Sequence, residues 1–173
     1  MKRLVMALCL FFCVALSLSA KKTSVSKFLT KGNVTFAEQK DKKSVMDAIV
    51  YVLSEHGMSV SMINESFGLI QSDWSQTSDM EKNLGKTLAL GMLSGANTYF
   101  YEYLKIDFKV SENGYIITPH YKQEQQKSNN LLNSSVTAVD KAPLRSSEEA
   151  QITIKIVYEI NNLLQIDSQV SWE

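Results

Sequence analysis

The pair Asn113–Gly114 stands between two stretches of alternating apolar and polar residues, residues 99–110 and 115–121. An Asn-Gly pair between alternating apolar runs is the strongest short-range signal for a β-hairpin. The alternation predicts two half-buried strands. In the first strand, one face is expected to carry Tyr101, Tyr103, Leu104, Ile106, Phe108 and Val110, and the other Glu102, Lys105, Asp107 and Lys109.

Residues 34–74 predict a strand, a helix and a second hairpin. A short strand is expected around Val34 and Phe36. The helix is expected over residues 44–56, where Val45, Ile49 and Val52 recur at helical spacing before a glycine stop. Alternation then indicates strands on either side of a turn at residues 64–68. The segment is therefore a structural module of one helix and three strands.

The segment from residue 79 to residue 96 has a charged start and then carries no charge from Thr87 onward. Gly91 and Gly95 have the spacing that lets helices approach closely. Two interpretations follow. The stretch from Leu88 to Leu93 contacts a partner or the membrane surface, or it is buried against the sheet.

Residues 122–145 are polar and are expected to form a long loop. Ser146 and Ser147 followed by two glutamates predict a helix start. Ile152, Ile156 and Ile160 recur at helical spacing, and this favours a helix over a strand. Residues 165–173 are expected to add a short strand or to trail off.

The first 20 residues have the layout of a secretory signal peptide, with a basic start, an uncharged middle and small residues at Ser19–Ala20. The alternative is an uncleaved anchor. Cleavage predicts export, to the periplasm or outer envelope if the source is bacterial. Both cysteines, Cys9 and Cys13, lie inside this peptide, so the mature domain is expected to have no thiol chemistry. We expect a flexible arm at residues 21–32 and one domain at residues 33–173.

Removal of Lys2 and Arg3 with the signal peptide leaves 16 basic and 18 acidic residues. This near-neutral balance gives no general attraction to nucleic acids. Hence no nucleic-acid partner is predicted.

The sequence contains no recognisable catalytic or cofactor signature. The glycine that a phosphate-binding loop needs five positions before Gly85 is replaced by Met80. His56 is expected at a helix end and His120 on a strand, with no metal-binding spacing. No catalytic, cofactor-binding or metal-binding residue is therefore predicted. Candidate acids for a hydrolase with dispersed carboxylates are Asp73, Glu102 and Asp107, and a possible ligand-stacking cluster is Tyr99, Phe100, Tyr101 and Tyr103.

The stretch from Ser54 to Trp74 resembles the helix, glycine, strand, turn, Gly-Leu-Ile, strand module of small bacterial envelope domains of the BamC-like helix-grip type. The resemblance implies an antiparallel sheet wrapped around a long C-terminal helix, a role that the segment from Ile152 to Leu164 would fill. The chain departs from these domains in lacking a lipidation cysteine and in carrying the small-residue segment around Gly91.

The combined prediction is an α+β domain with an antiparallel sheet of about four to five strands and helices packed on one face. The leading functional hypothesis is a non-enzymatic envelope binding or scaffold protein with an envelope protein as its partner. An alternative is a carrier of a lipid-like or other apolar ligand in a cavity between sheet and helix. A weaker alternative is the hydrolase. Peripheral membrane contact is expected, if anywhere, through Leu88 to Leu93.

Overall fold

The computed structural model describes residues 26–77, 97–128 and 134–173. These form two helices and eight strands. The helices are α1 (Lys42–Glu55) and α2 (Glu148–Leu163). The strands are β1 (Gly32–Phe36), β2 (Val60–Asn64), β3 (Leu69–Ser72), β4 (Ser75–Gln76), β5 (Asn97–Ser111), β6 (Gly114–Ser128), β7 (Ser134–Lys141) and β8 (Ser168–Trp172).

All eight strands belong to one antiparallel sheet in the order β2-β3-β5-β6-β1-β8. The short β4 pairs with β5 beyond the end of β3, and β7 pairs with β6 beyond the end of β1. The α+β class with an antiparallel sheet is thus confirmed, but the sheet has more strands than the four to five expected. The long β5–β6 hairpin accounts for the difference, because each of its outer edges is long enough to pair with two strands in succession.

The β5–β6 hairpin is confirmed, and its register runs without a bulge from Asn97↔Ser128 to Ser111↔Gly114. Strict alternation therefore holds along β5. Leu104 and Phe108 are buried beneath the helices, whereas Tyr101 and Tyr103 lie on the opposite face with Lys105. The prediction that these two tyrosines share the buried face was wrong, because it required a break in the alternation at residues 103–104 that the strand does not have.

Both helices pack on the same face of the sheet. Asp41 caps α1 by accepting a hydrogen bond from the backbone N–H of Ser44, and Ser147 caps α2 by accepting one from Ala150. Each helix buries an apolar stripe, as the spacing predicted. One continuous core unites these stripes with the sheet, and it includes Val45, Ile49, Leu53, Ile106, Phe108, Tyr115, Ile117, Ile156 and Ile160.

Tyr115 lies between the sheet and α2, near the β5–β6 turn. Its ring centroid lies 6.0 Å from those of Phe36 and Phe108. Its hydroxyl donates to Asn161 Oδ1 at 3.0 Å on α2, and burial raises the pKa of this phenol. Side chains of the protein therefore occupy this part of the sheet–helix interface.

Two segments differ from their expected forms. Within the expected arm, Leu29 is fully buried and its backbone N–H donates to the carbonyl of Pro143 at 2.8 Å. Within the expected loop, β6 continues to Ser128 and β7 begins at Ser134. Main-chain pairing makes these polar residues strands despite their weak apolar pattern. Residues 1–25, which include the predicted signal peptide, and all of residues 78–96, with Leu88 to Leu93, lie outside the described residues.

Candidate functional site

An open groove of about 380 Å³ lies between α2 and the edge strand β8. On the helix side it is lined by Ile154 and Tyr158, one turn apart, and on the strand side by Val170. All three side chains are exposed, Tyr158 by 65%. The remaining apolar lining comes from Val157, Ile166 and Trp172.

A tight turn after α2 places the two walls side by side. Gln165 has a φ of 49°, and the backbone N–H of Ile166 donates to the carbonyl of Asn161 at 3.2 Å. The chain then reverses into β8, which pairs with β1 from Ser168 to Trp172. Both walls of the groove therefore come from one continuous segment, residues 154–172, whose strand is placed by its pairing with β1.

One end of the groove is polar, with Asn161, Asn162, Asp167 and Ser168 in its lining. Asn161 is held in place because its side-chain oxygen accepts the hydrogen bond from Tyr115. Asp167 is the one charged residue among those that line the groove. The groove therefore combines an apolar wall with an anionic end.

At the other end, the indole of Trp172 lies over Gly32 of β1. A Cβ atom at Gly32 would come within 2.5 Å of this indole. The backbone carbonyl of Trp172 accepts a hydrogen bond from Arg145 Nη2 at 3.3 Å. The indole of Trp172 thus packs against β1 and forms the wall at this end of the groove.

A second cavity, of about 340 Å³, lies near the start of α2. Glu102 and Glu149 both line it, together with Tyr121. The hydroxyl of Tyr121 donates to Glu102 Oε1 at 3.1 Å, and Glu149 accepts a hydrogen bond from Thr77 Oγ1 at 2.8 Å. Burial, followed by the nearby carboxylates of Glu102 and Glu149, raises the pKa of the Tyr121 phenol.

The three candidate acids do not form one site. Glu102 lies on the helix-covered face of β5. Asp107 lies on the opposite face, because it is an odd number of residues further along the same strand. Asp73 is exposed between β3 and β4. The carboxylates that line a cavity with Glu102 are those of Glu148 and Glu149, which the sequence indicates only as part of a helix start.

The face of the sheet opposite the helices carries a network of charged and aromatic side chains. Lys122 Nζ lies 4.6 Å from the ring centroid of Tyr103 and 5.0 Å from that of Trp74. Asp107 Oδ2 lies 3.3 Å from His120 Nε2 and accepts a hydrogen bond from Gln71 at 3.2 Å. Tyr103, proposed for ligand stacking, is therefore already paired with a lysine. The side chains of Tyr99 and Phe100 lie outside the described part of the chain.

The two histidines lie where the sequence placed them, in separate elements. His56 is the C-cap of α1, and its Nε2 lies 2.7 Å from Glu159 Oε2 of α2. This hydrogen bond lowers the pKa of the Glu159 carboxyl. His56 thus connects the two helices, a contact that the sequence did not indicate.

The described ranges contain neither a metal-binding cluster nor a membrane-spanning helix. In residues 26–77, 97–128 and 134–173, no group of three or more His, Cys, Asp or Glu side chains is placed to hold a metal ion. In the same part of the chain, no helix has both the length and the apolar character needed to span a membrane.

Sequence reasoning missed the groove, although a signal for it was present. The stripe at Ile152, Ile156 and Ile160 identified the buried face of α2. Ile154 and Tyr158 form a second apolar pair at i, i+4 spacing on a different face. A helix that contacts a sheet on one side has no second core for such a pair, which therefore indicates an exposed apolar surface.

No protein-family model matches the chain, and no curated protein sequence matches it.

Proposed function

We propose that the protein is an exported, non-enzymatic binding or scaffold protein of the cell envelope, and that its α2–β8 groove contacts an envelope protein partner. The observation that carries the proposal is the exposed apolar lining formed by Ile154, Tyr158 and Val170. Leaving large apolar side chains in water gives up their burial free energy, about 1.5–3 kcal/mol for each aliphatic one. A partner that covers the groove would recover it.

Export is supported by the sequence of residues 1–20, with its basic start and uncharged middle. The packing of α2 against an antiparallel sheet supports a helix-grip-like arrangement of the BamC-like type. In that arrangement, the groove lies where the last helix meets the edge of the sheet. Membrane contact through Leu88 to Leu93 stays part of the proposal as a second point of attachment.

Site-specific photocrosslinking in the organism that makes the protein tests the assignment. Benzoylphenylalanine replaces Tyr158 in the groove or Tyr51, which is also an exposed tyrosine but lies on α1 outside the groove. We expect a discrete covalent adduct with an envelope protein from position 158 and none from position 51. Equal adducts from both positions, or none from position 158, would contradict the assignment.

A small apolar ligand is a second candidate occupant of the same groove. Its volume of about 380 Å³ is within the range of ligand pockets. Trp172 lines the groove and Trp74 lies on the opposite face of the sheet, so Trp74→Phe leaves one tryptophan as a reporter. A carrier would respond to fatty acids with a change in Trp172 emission that Tyr158→Asp removes. A protein-binding groove would show no such response.

The cavity near the start of α2 favours the hydrolase as a further candidate, because three carboxylates, those of Glu102, Glu148 and Glu149, and a tyrosine line one space. Two of these carboxylates could divide acid and base roles in glycoside cleavage. The purified protein would be assayed with chromogenic glycosides, beside Glu102→Gln and Glu149→Gln variants. Turnover that either variant reduces by 100-fold or more would establish catalysis, and equal background rates in all three proteins would reject it.

A further inference from the structure

We infer that the occupant of the α2–β8 groove is an extended peptide segment, which pairs with the outer edge of β8 as an added antiparallel strand. The inference rests on the proposed function of the groove and names the chemistry of its partner. Strand addition of this kind obtains its affinity from main-chain hydrogen bonds and its specificity from alternate side chains.

The outward-facing backbone groups of β8 follow from the hydrogen bonds at its two ends. The N–H of Glu173 donates to the carbonyl of Lys31 at 2.9 Å, and the carbonyl of Asp167 accepts from Ala37 at 3.1 Å. The odd-numbered residues of β8 therefore face β1, and in an antiparallel ladder the even-numbered ones face away. Ser168 and Val170 thus direct their N–H and C=O groups outward.

Among the described residues, no strand pairs with this outer side of β8. The carbonyl of Trp172, the next outward residue, accepts from Arg145 instead. This contact confirms the outward direction of the Trp172 carbonyl. Within the described part of the chain, Ser168 and Val170 thus form an unpaired edge of two outward-facing residues.

The same alternation places the side chains of Ser168, Val170 and Trp172 on the groove side of the sheet, since all three line the groove. An added strand opposite β8 would direct every second side chain into the same groove. There these side chains would contact Ile154 and Tyr158 of α2. A single peptide would therefore both form hydrogen bonds with the outward backbone groups of β8 and cover the exposed apolar side chains of α2.

The charge of the groove determines where the occupant carries a basic residue. Asp167 lies at the Ser168 end of the groove and is its one charged lining residue. A strand antiparallel to β8 has its carboxyl-terminal part at that end. The complementary segment therefore carries aliphatic residues opposite Trp172 and Val170, followed by a lysine or arginine opposite Ser168.

A synthetic hexapeptide, acetylated and amidated, tests this inference with the mature protein. It has threonine at positions one, three and five, valine at positions two and four, and lysine at position six. We expect binding by NMR titration, with the largest shifts at the amides of Ser168 and Val170. Methylation of the backbone nitrogen of the second valine should weaken binding at least tenfold, because that nitrogen donates to the outward carbonyl of Val170.

Val170→Pro removes the outward N–H of β8 and leaves its ladder with β1 intact, because that N–H does not face β1. Proline is tolerated on an edge strand in this position. We expect the variant to lower affinity for the hexapeptide at least tenfold, whereas Val170→Ala, which keeps the N–H, lowers it about threefold. Replacement of the terminal lysine of the peptide by glutamate should weaken binding through Asp167.

The outcomes separate this inference from the proposed function. Equal binding of the methylated and unmethylated peptides, or no binding of either, overturns strand addition. Selective crosslinking from position 158 would still support the groove in that case. A concentration-dependent dimer that Val170→Pro abolishes would identify a second copy of the chain as the occupant and would also overturn the peptide assignment.

Discussion

At the scale of single residues, Gly57 and Gly68 adopt nearly the same backbone conformation for different reasons. Their φ angles are 68° and 65°. A Cβ atom at Gly57 would meet nothing within 4 Å, whereas one at Gly68 would clash with the carbonyl oxygen of Val110. Gly57 is thus required only by its conformation, and Gly68 also by the close approach of β5.

This pair gives a matched prediction. Gly57→Ala should lower the free energy of unfolding by about 1 kcal/mol, the cost of a left-handed conformation for an L-residue. Gly68→Ala should lower it by about 3 kcal/mol, because overpacking against backbone adds about 1–3 kcal/mol. Urea denaturation of both variants measures the difference. Equal costs would mean that β5 shifts freely away from the turn.

The contact between His56 and Glu159 predicts a dependence of stability on pH. Since folding lowers the pKa of Glu159, its contribution is fully present above the pKa of 4.5 that it has when unfolded. It is lost as the pH falls through the lower, folded pKa. Glu159→Gln should therefore cost about 0.5–1 kcal/mol at pH 7, and its stability should fall less steeply than that of the wild type below pH 4.5.

Thermal unfolding between pH 3 and pH 7 checks this prediction. Lys155→Gln is the control, because Lys155 lies 3.6 Å from Glu159 Oε1 while His56 makes the shorter contact of 2.7 Å. This variant should keep most of the acid dependence. An acid dependence unchanged in Glu159→Gln would show that other carboxyl groups cause it.

At the scale of secondary-structure elements, the sequence predicted most of what local chemistry determines. The glycine stop after α1, the capping serine of α2 and the Asn-Gly hairpin all lie within a few residues of their expected positions. Strand ends were less predictable. The polar composition of residues 122–128 predicts a loop, but these residues pair with β5 and therefore form part of β6.

The cap of α2 predicts a measurable stability change. Ser147 Oγ accepts from the backbone N–H of Ala150 at 3.3 Å. Ser147→Ala should lower the free energy of unfolding by about 1 kcal/mol, because that donor loses its partner. Ser147→Asn, which keeps an acceptor of equal capping strength, should lower it by a few tenths of a kcal/mol. Urea midpoints for the three proteins test the comparison, and similar losses in both variants would assign the effect to packing.

At the scale of the whole molecule, sequence reasoning could not predict strand order. Local alternation identifies a strand but carries no information about its neighbours. β1 illustrates this, because it lies between β6 and β8, which are distant from it in the chain. The groove depends on that order, since β8 is an edge only because β1 separates it from the hairpin. The position of the groove therefore could not be predicted from the sequence, although the spacing of Ile154 and Tyr158 indicated an exposed apolar face on α2.

The sheet order predicts an alternating pattern of amide hydrogen exchange. Every amide inside β1 should be protected, because its residues bond alternately to β6 and to β8, as the bond from Phe36 to Asn113 at 2.9 Å illustrates. In β8, Gln169 and Ser171 face β1 and should exchange slowly, whereas Ser168 and Val170 should exchange rapidly. NMR exchange measured on the free protein gives each rate. Uniform protection along β8 would mean that its outer edge is already paired, and the groove would then be closed to an added strand.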